Sequence, residues 1–235
     1  GLPNQNLEAA LEDLRLALSF QPQHLSWYQL TLEPNTYFHR YPPKLPEEDT
    51  LAAIQDAGAE VLAAAGYNNY EISAFALTGK QAQHNLNYWR FGDYLGLGAG
   101  AHGKLTSLQE DGSLLVTRKW KTRQPASYIK AGLAATSATG LIASTKNQTA
   151  SQIAGTEVLT QDALILEFML NALRLKEGVE VEVFQQTTGL SPTVLASQIE
   201  RLQSLDLWTA NPQRLATSPL GWRFLNRVLE EFMVD

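Results

Sequence analysis

Four histidines stand among 235 residues, at His24, His39, His84 and His102, and the chain has no cysteine. Imidazole is therefore the side chain here with the widest range of chemistry: when neutral it ligates metals, heme iron included, and it exchanges protons near neutral pH. His24 precedes a strand pattern and His39 sits in a polar loop between Phe38 and Arg40, so both read as structural. His84 opens the run HNLNYW at 84–89, and His102 lies in GLGAGAHG at 96–103. Tyr88 and Trp89 supply flat rings that can pack against a porphyrin plane, but the same composition also suits a seam where two elements pack.

The absence of cysteine excludes disulfides, thiolate nucleophiles, Cys-ligated zinc and Cys-ligated iron–sulfur clusters within these residues. No HExxH, no nucleophile elbow around a serine and no carboxylate pair at catalytic spacing occurs, which leaves hydrolase and zinc-protease readings without support. Net charge is −6, from 18 Lys+Arg against 24 Asp+Glu with no like-charge block, so no nucleic-acid partner is expected. The opening GLPNQN lacks the basic and apolar regions of a signal peptide, and no apolar run approaches the roughly 18 residues needed to span a bilayer. A soluble, cytoplasmic protein is expected.

These residues must be positioned by elements that the pattern outlines. Leu7, Leu11, Leu14 and Leu18 recur at helical spacing, and Pro22 stops that helix. HLSWYQLTLEP then alternates, placing Gln29, Thr31 and Glu33 opposite Tyr28, Leu30 and Leu32. A second helix runs from the acidic residues 47–49 to Gly66, placed to stop it in a left-handed turn. It leads to YNNYEISAF, with Glu71 and Ser73 on one face and Tyr70 and Ile72 on the other. The alternation of helix and strand predicts a parallel sheet with right-handed crossovers. Polar groups near the ends of such strands line a site or merely begin the next loop; Gln29, Thr31, Glu33, Glu71 and Ser73 are the candidates.

Residues 77–105 read as a long connection. Their glycines match neither a phosphate loop nor a dinucleotide fingerprint, and signal a close approach of backbone to a ligand or to another strand. Residues 126–156, rich in Ala, Ser, Thr and Gly, read as a tether with one short helix near Tyr128. Beyond it come a helix from Asp162 to Leu175 opened by Thr160, a short helix before Gly189, and a helix over 192–205. A hairpin formed by DLWTA, NPQ and RLATS and a last helix over 220–232 complete a winged-helix pattern. Its candidate recognition helix carries Arg201 beside Glu200, too little charge to neutralise phosphates, which favours a packing or partner-docking module.

GLPNQN, LTLEPNTYF, YEISAFA, HNLNYW, GDYLGLGAGAH and LRLKEGVE, in this order, resemble the HemW-like proteins, radical S-adenosylmethionine (SAM) proteins related to the oxygen-independent coproporphyrinogen III oxidases. The resemblance implies an α/β fold: the C-terminal part of an incomplete radical SAM (β/α)6 barrel, then a small winged-helix-like α+β domain. It implies barrel at 1–105, a connecting segment at 106–156 and the C-terminal domain at 157–235. By the same resemblance His84 ligates heme iron, with Asn85, Tyr88 and Trp89 around the porphyrin. Thr31 and His102 fall near SAM, with Glu33, Glu71 and Ser73 on that side. Two positions depart from the family pattern: Ala74 stands where Asn is usual, and Gly103 where Ser is usual.

The family holds its [4Fe-4S] cluster on a CxxxCxxC motif that this chain lacks, so the resemblance implies a fragment without radical activity of its own and an uncovered edge prone to self-association or to pairing with the missing half-barrel. Three functions remain open: a heme chaperone serving an apo-hemoprotein, an oxygen-independent coproporphyrinogen III dehydrogenase, and a non-catalytic docking module.

Overall fold

The structure is a computed structural model that describes residues 1–137 and 152–233. The chain forms two compact units, one of Gly1–Leu86 with Arg174–Glu177, the other of Asn87–Leu173 with Gly178–Asp235.

In the first unit, helix α1 (Leu7–Ser19) begins at Asn6, whose side-chain oxygen accepts the Ala9 N–H, and turns Ala10 and Leu14 inward. Such a cap contributes about 1 kcal/mol. Strand β1 (His24–Ser26) and the single turn α2 (Tyr37–Arg40) follow. Helix α3 (Glu48–Ala64) carries Glu48 and Asp49 in its first turn, and Gly66 beyond it takes φ +87°, as expected of its place. Leu14, Leu62, Tyr67 and Phe75 form the core, with Trp27 packed against it. A Cβ at Gly58 would collide with the Trp27 ring, so α3 can take that ring only over a glycine.

Strands β2 (Asn68–Glu71) and β3 (Ala74–Ala76) complete a sheet of order β1-β3-β2 in which both pairs are antiparallel. The expected parallel pairing does not occur among the described residues. YNNYEISAF, read as one strand, reverses at Ile72 and Ser73, because the Glu71 carboxylate accepts from the Ser73 N–H at 3.1 Å and hydroxyl at 3.2 Å. A side chain thus replaces the ladder partner at the turn, and β3 folds back between its neighbours. HLSWYQLTLEP keeps strand geometry only over its first three residues.

Helix α4 (Gln83–Trp89) is divided between the units at Leu86. In the second unit β4 (His102–Leu108), β5 (Leu114–Lys121) and β6 (Ile153–Val158) form an antiparallel sheet in that order. The hairpin of β4 and β5, unmarked by the sequence reading, lies largely in the stretch expected to connect. Helix α5 (Pro125–Ser137) is longer than the short turn expected near Tyr128, residues 153–156 of the expected tether belong to β6, and residues 138–151 lie outside the described residues. A Cβ on Gly96 would strike the His102 backbone, one on Gly103 would crowd the Gly96 nitrogen, and Tyr94 bridges to Lys104, so Gly96 and Gly103 admit another stretch of backbone, whereas Gly98 and Gly100 take positive φ.

Helix α6 (Gln161–Ala172), capped by Thr160, and α7 (Val181–Thr188), stopped by Gly189 at φ +74°, follow the expected signals. A 3-10 turn (Pro192–Leu195) leads into α8 (Ala196–Ser204). Backbone bonds from Thr209 to Ala216 and from Ser218 to Leu207 close the expected hairpin. Its returning strand β8 (Arg214–Leu215) also pairs with β7 (Val179–Glu180), giving a small wing. The last helix breaks at Phe224 into α9 (Pro219–Arg223) and α10 (Leu225–Glu230). Phe168 centres this core, edge-on to Phe91 at 5.5 Å and to Phe184 at 4.9 Å. On α8, Arg201 pairs with Glu231 at 3.0 Å. Among the described residues no helix is long and apolar enough to cross a membrane.

Candidate functional site

The ladder between β2 and β3 sets Asn69 opposite Phe75 and Glu71 opposite Ala74, leaving Tyr70 as an extra residue. A bulge re-aims the side chain it carries. The Tyr70 hydroxyl lies 2.9 Å from Nε2 of His24 on β1 and 3.2 Å from Nδ2 of Asn85 on α4. The Asn85 amide donates to this hydroxyl, whose oxygen keeps a second lone pair, so the contact with His24 Nε2 is a hydrogen bond in either tautomer of the imidazole. Burial pushes the His24 imidazole below its ordinary value near 6.5; Glu71 pulls it up and His84 pushes it down further. His84 itself lies on the exposed side of α4, while Asn85 is half-buried. The motif therefore divides its labour: Asn85 ties the helix to β1 and β2, and His84 faces outward.

This arrangement has a pH signature. A histidine held neutral below its usual value makes the unfolded chain the better proton acceptor, so stability is fully present above about pH 6.5 and falls as the pH drops through the folded-state value. Urea unfolding at pH 8 and pH 5.5 should show that loss, and His24→Gln should reduce it. An unchanged difference in the variant would assign the effect to other groups.

Glu71 is 2% exposed. Beyond its bonds to Ser73 it accepts from Arg174 Nη2 at 3.2 Å. The Arg174–Glu177 stretch lies along β2 through backbone bonds from Ile72 to the Arg174 carbonyl and from Lys176 to the Tyr70 carbonyl. Glu71 and Ser73 are thus occupied in holding the bulge and the reversal that follows it. Thr31 donates to Glu33 at 2.9 Å, and both line an open hollow with Thr36, Tyr37 and Phe38.

The other half of the motif is placed in the second unit. Tyr88 packs edge-on against Tyr94 at 4.6 Å, and its ring centroid is 6.4 Å from that of Trp89. Beyond α4 the chain turns at Phe91, φ +60°, with the Lys104 ammonium at 2.9 Å from its carbonyl and 4.0 Å over its ring. Asp93 closes this brace at 3.1 Å from Lys104, and also accepts from the Thr106 N–H and hydroxyl. Burial pushes the Lys104 ammonium below its usual range, against the pull of Asp93. His102, at the start of β4, stacks at 6.5 Å on Trp120 of β5.

The sequence reading did not mark Tyr70, Arg174, Lys104 or Trp120 as site residues. Tyr70 stood on the face opposite Glu71 in a simple alternation, and only the bulge brings its hydroxyl to Asn85. Among the described residues no group of three or more His, Cys, Asp or Glu is arranged to hold a metal ion. An exposed imidazole can act as a metal ligand, whereas an iron–sulfur cluster finds no thiolate in this chain.

Residues 159–224 match the family described as the HemN C-terminal domain. Over its full length the chain is 41% identical to the heme chaperone HemW of Haemophilus influenzae, covering 55% of that protein, and 42% identical to that of Escherichia coli, covering 56%. The chain thus spans little more than half the length of these curated relatives. Among solved structures, coproporphyrinogen III oxidase (HemN) from Escherichia coli, a radical SAM enzyme, aligns with a TM-score of 0.68 and 16% identity over 99% of this chain and 52% of that one. That likeness is one of fold, and it supports the expected radical SAM barrel fragment with a C-terminal domain. The resemblance read from the motifs extends over the whole chain.

Proposed function

We propose that the chain is the heme-binding part of a cytoplasmic heme chaperone, in which His84 offers its imidazole to the iron of a heme destined for an apo-hemoprotein. The observation that carries this reading is the disposition of α4: Asn85 is fixed through Tyr70 while His84 is left exposed. The relatives named heme chaperones support heme as the ligand in this reading.

In this reading Asn85 orients the helix, and Tyr88 and Trp89 offer ring surface to the macrocycle. His24 shares a hydrogen bond with the Tyr70 hydroxyl and so helps to fix the group that holds Asn85. Thr31, Glu33 and His102 belong to the SAM side, with Glu71 and Ser73 as supports. SAM and a [4Fe-4S] cluster belong to the longer protein, and the cluster takes thiolates from residues outside this chain. Exposed ligation suits a carrier, since a cargo held at one axial position on the surface leaves readily.

Heme titration checks the assignment. The wild-type chain should give a saturable Soret shift, and His84→Ala should weaken it about tenfold or more, the equivalent of roughly 1.4 kcal/mol. His39→Ala should leave it unchanged. Equal affinity in His84→Ala would remove the ligand assignment, and turnover of coproporphyrinogen III by the parent protein would favour the dehydrogenase reading.

A further inference from the structure

We propose that the second unit carries a separate binding site for a planar aromatic ligand with acidic substituents, built on Trp120 and served by Lys121 and Arg123. It lies in an open cavity of about 740 Å³ lined by His102, Trp120, Thr122 and Ala154 together with charged residues.

The floor follows from strand register. His102 on β4 and Gly155 on β6 are the cross-strand partners of Trp120. The imidazole lies nearly parallel to the indole, with 23° between the planes. On the other side the indole covers Gly155, where a Cβ would collide with its six-membered ring. A glycine inside a strand weakens it unless something must come close, and here the closely approaching group is the indole. The three positions make one flat shelf across three strands. Flat π surfaces favour offset stacking of another ring.

The charges come from an irregularity. The ladder between β5 and β6 slips between Trp120 and Lys121, whose partners are Gly155 and Ile153, so Ala154 is the extra residue. Consecutive side chains of a regular strand point to opposite faces, whereas a bulge re-aims them; Trp120 and Lys121 both line the cavity. Arg123 joins them just beyond the strand. Of the remaining charged residues, Arg118 is held by Glu167 through Nε at 2.8 Å and through Nη2, and its Nη1 donates to Tyr94. Those two charges cancel, which leaves Lys121 and Arg123 against Glu157. Among the described residues neither Lys121 nor Arg123 forms an ion pair with a carboxylate. A volume of this size accommodates a nucleotide or a tetrapyrrole, and the pairing of a flat ring with an acidic group is common to both. The site does not depend on iron ligation and so stands apart from the role given to His84; it borders the SAM side through His102 alone, and its base and charges come from Trp120, Lys121 and Arg123.

Two iron-free probes, protoporphyrin IX and AMP, separate the sources, because neither can be held through an axial bond. Each is titrated into the full chain and into Trp120→Leu, Arg123→Gln and Gly155→Val, following tryptophan fluorescence for the chains that keep Trp120 and equilibrium dialysis for all. Saturable binding of either probe that weakens about tenfold in Trp120→Leu and in Arg123→Gln, but not in His84→Ala, supports the site and names its ligand class. Gly155→Val, which displaces the indole, should weaken binding with Trp120 still present. Circular dichroism shows whether each variant folds, and Trp120→Phe, which keeps a ring, should retain binding if a fold defect is suspected in Trp120→Leu. Absence of binding by both probes overturns the proposal, as does binding that is unaffected by the Trp120 and Arg123 changes.

Discussion

Asp93→Ala should lower the unfolding free energy by roughly 2–4 kcal/mol, and Lys104→Met by clearly less. The difference lies in which charge is stranded. The Lys104 side chain is 2% exposed, while that of Asp93 is 37% exposed. Removing Asp93 leaves a buried ammonium with the Phe91 carbonyl and the Phe91 ring as its remaining partners, and it also leaves the Thr106 N–H without its acceptor. Removing Lys104 returns a carboxylate to solvent while methionine fills most of the space of the lysine stem. The pH dependence of the wild type checks the same brace. Asp93 loses solvent, which raises its pKa, but the Thr106 bonds and Lys104 outweigh this and hold it below its ordinary range. Its contribution is therefore present above about pH 3.9 and is lost as the pH falls through the lower folded-state value. Urea midpoints of the two variants at pH 7 decide the matter; equal losses would mean that the ammonium is not effectively desolvated.

The site was only partly legible because its motif is local and the contacts that orient it are not. HNLNYW is a local signal, and four residues of a motif can be read from a string. Whether its histidine faces inward or outward depends on a hydroxyl that reaches Asn85 from a bulge fifteen positions earlier. Bulges are invisible to an alternation count, which put Tyr70 and Glu71 on opposite faces and stopped there. Arg174 is more remote still: it belongs to the run LRLKEGVE and meets Glu71 across more than a hundred residues. The aromatic shelf needed the register of three strands before Trp120 and Gly155 could be seen as neighbours.

Helices were read well where their ends carry chemistry. Thr160 caps α6, Gly66 follows α3 and Gly189 stops α7, each by a mechanism confined to one turn of chain. Strands fared worse because their partners are distant. Asp111 and Gly112, with Gly112 at φ +83° and the Asp111 carboxylate accepting from Ser113, were the available mark of the β4–β5 hairpin. The antiparallel return at Ile72 and Ser73 had no such mark, since a glutamate rather than an asparagine or glycine makes that turn. The fold class survived both misreadings because it rested on the ordered motifs, which the full-length similarity bears out.

Arg174→Met is expected to cost roughly 2–4 kcal/mol for the mirror-image reason. Here the buried member is the acid: Glu71 has 3% of its side chain exposed and Arg174 31%. Without the guanidinium the carboxylate keeps only the Ser73 N–H and hydroxyl among the partners described for it, in a place where desolvation is nearly complete. Glu71→Gln should be milder, because an amide oxygen can still accept from Ser73 while no charge is buried. The double variant Glu71→Gln with Arg174→Met should then recover a large part of what Arg174→Met loses, giving a coupling of at least about 1 kcal/mol in a double-mutant cycle. The heme titration adds a second readout, since Glu71 and Tyr70 are consecutive on β2 and Tyr70 holds Asn85. Arg174→Met should loosen α4 and weaken the Soret shift by less than His84→Ala does, and the double variant should restore it in step with stability. Additive losses in the cycle would show that the two side chains act independently and that Ser73 alone holds the turn.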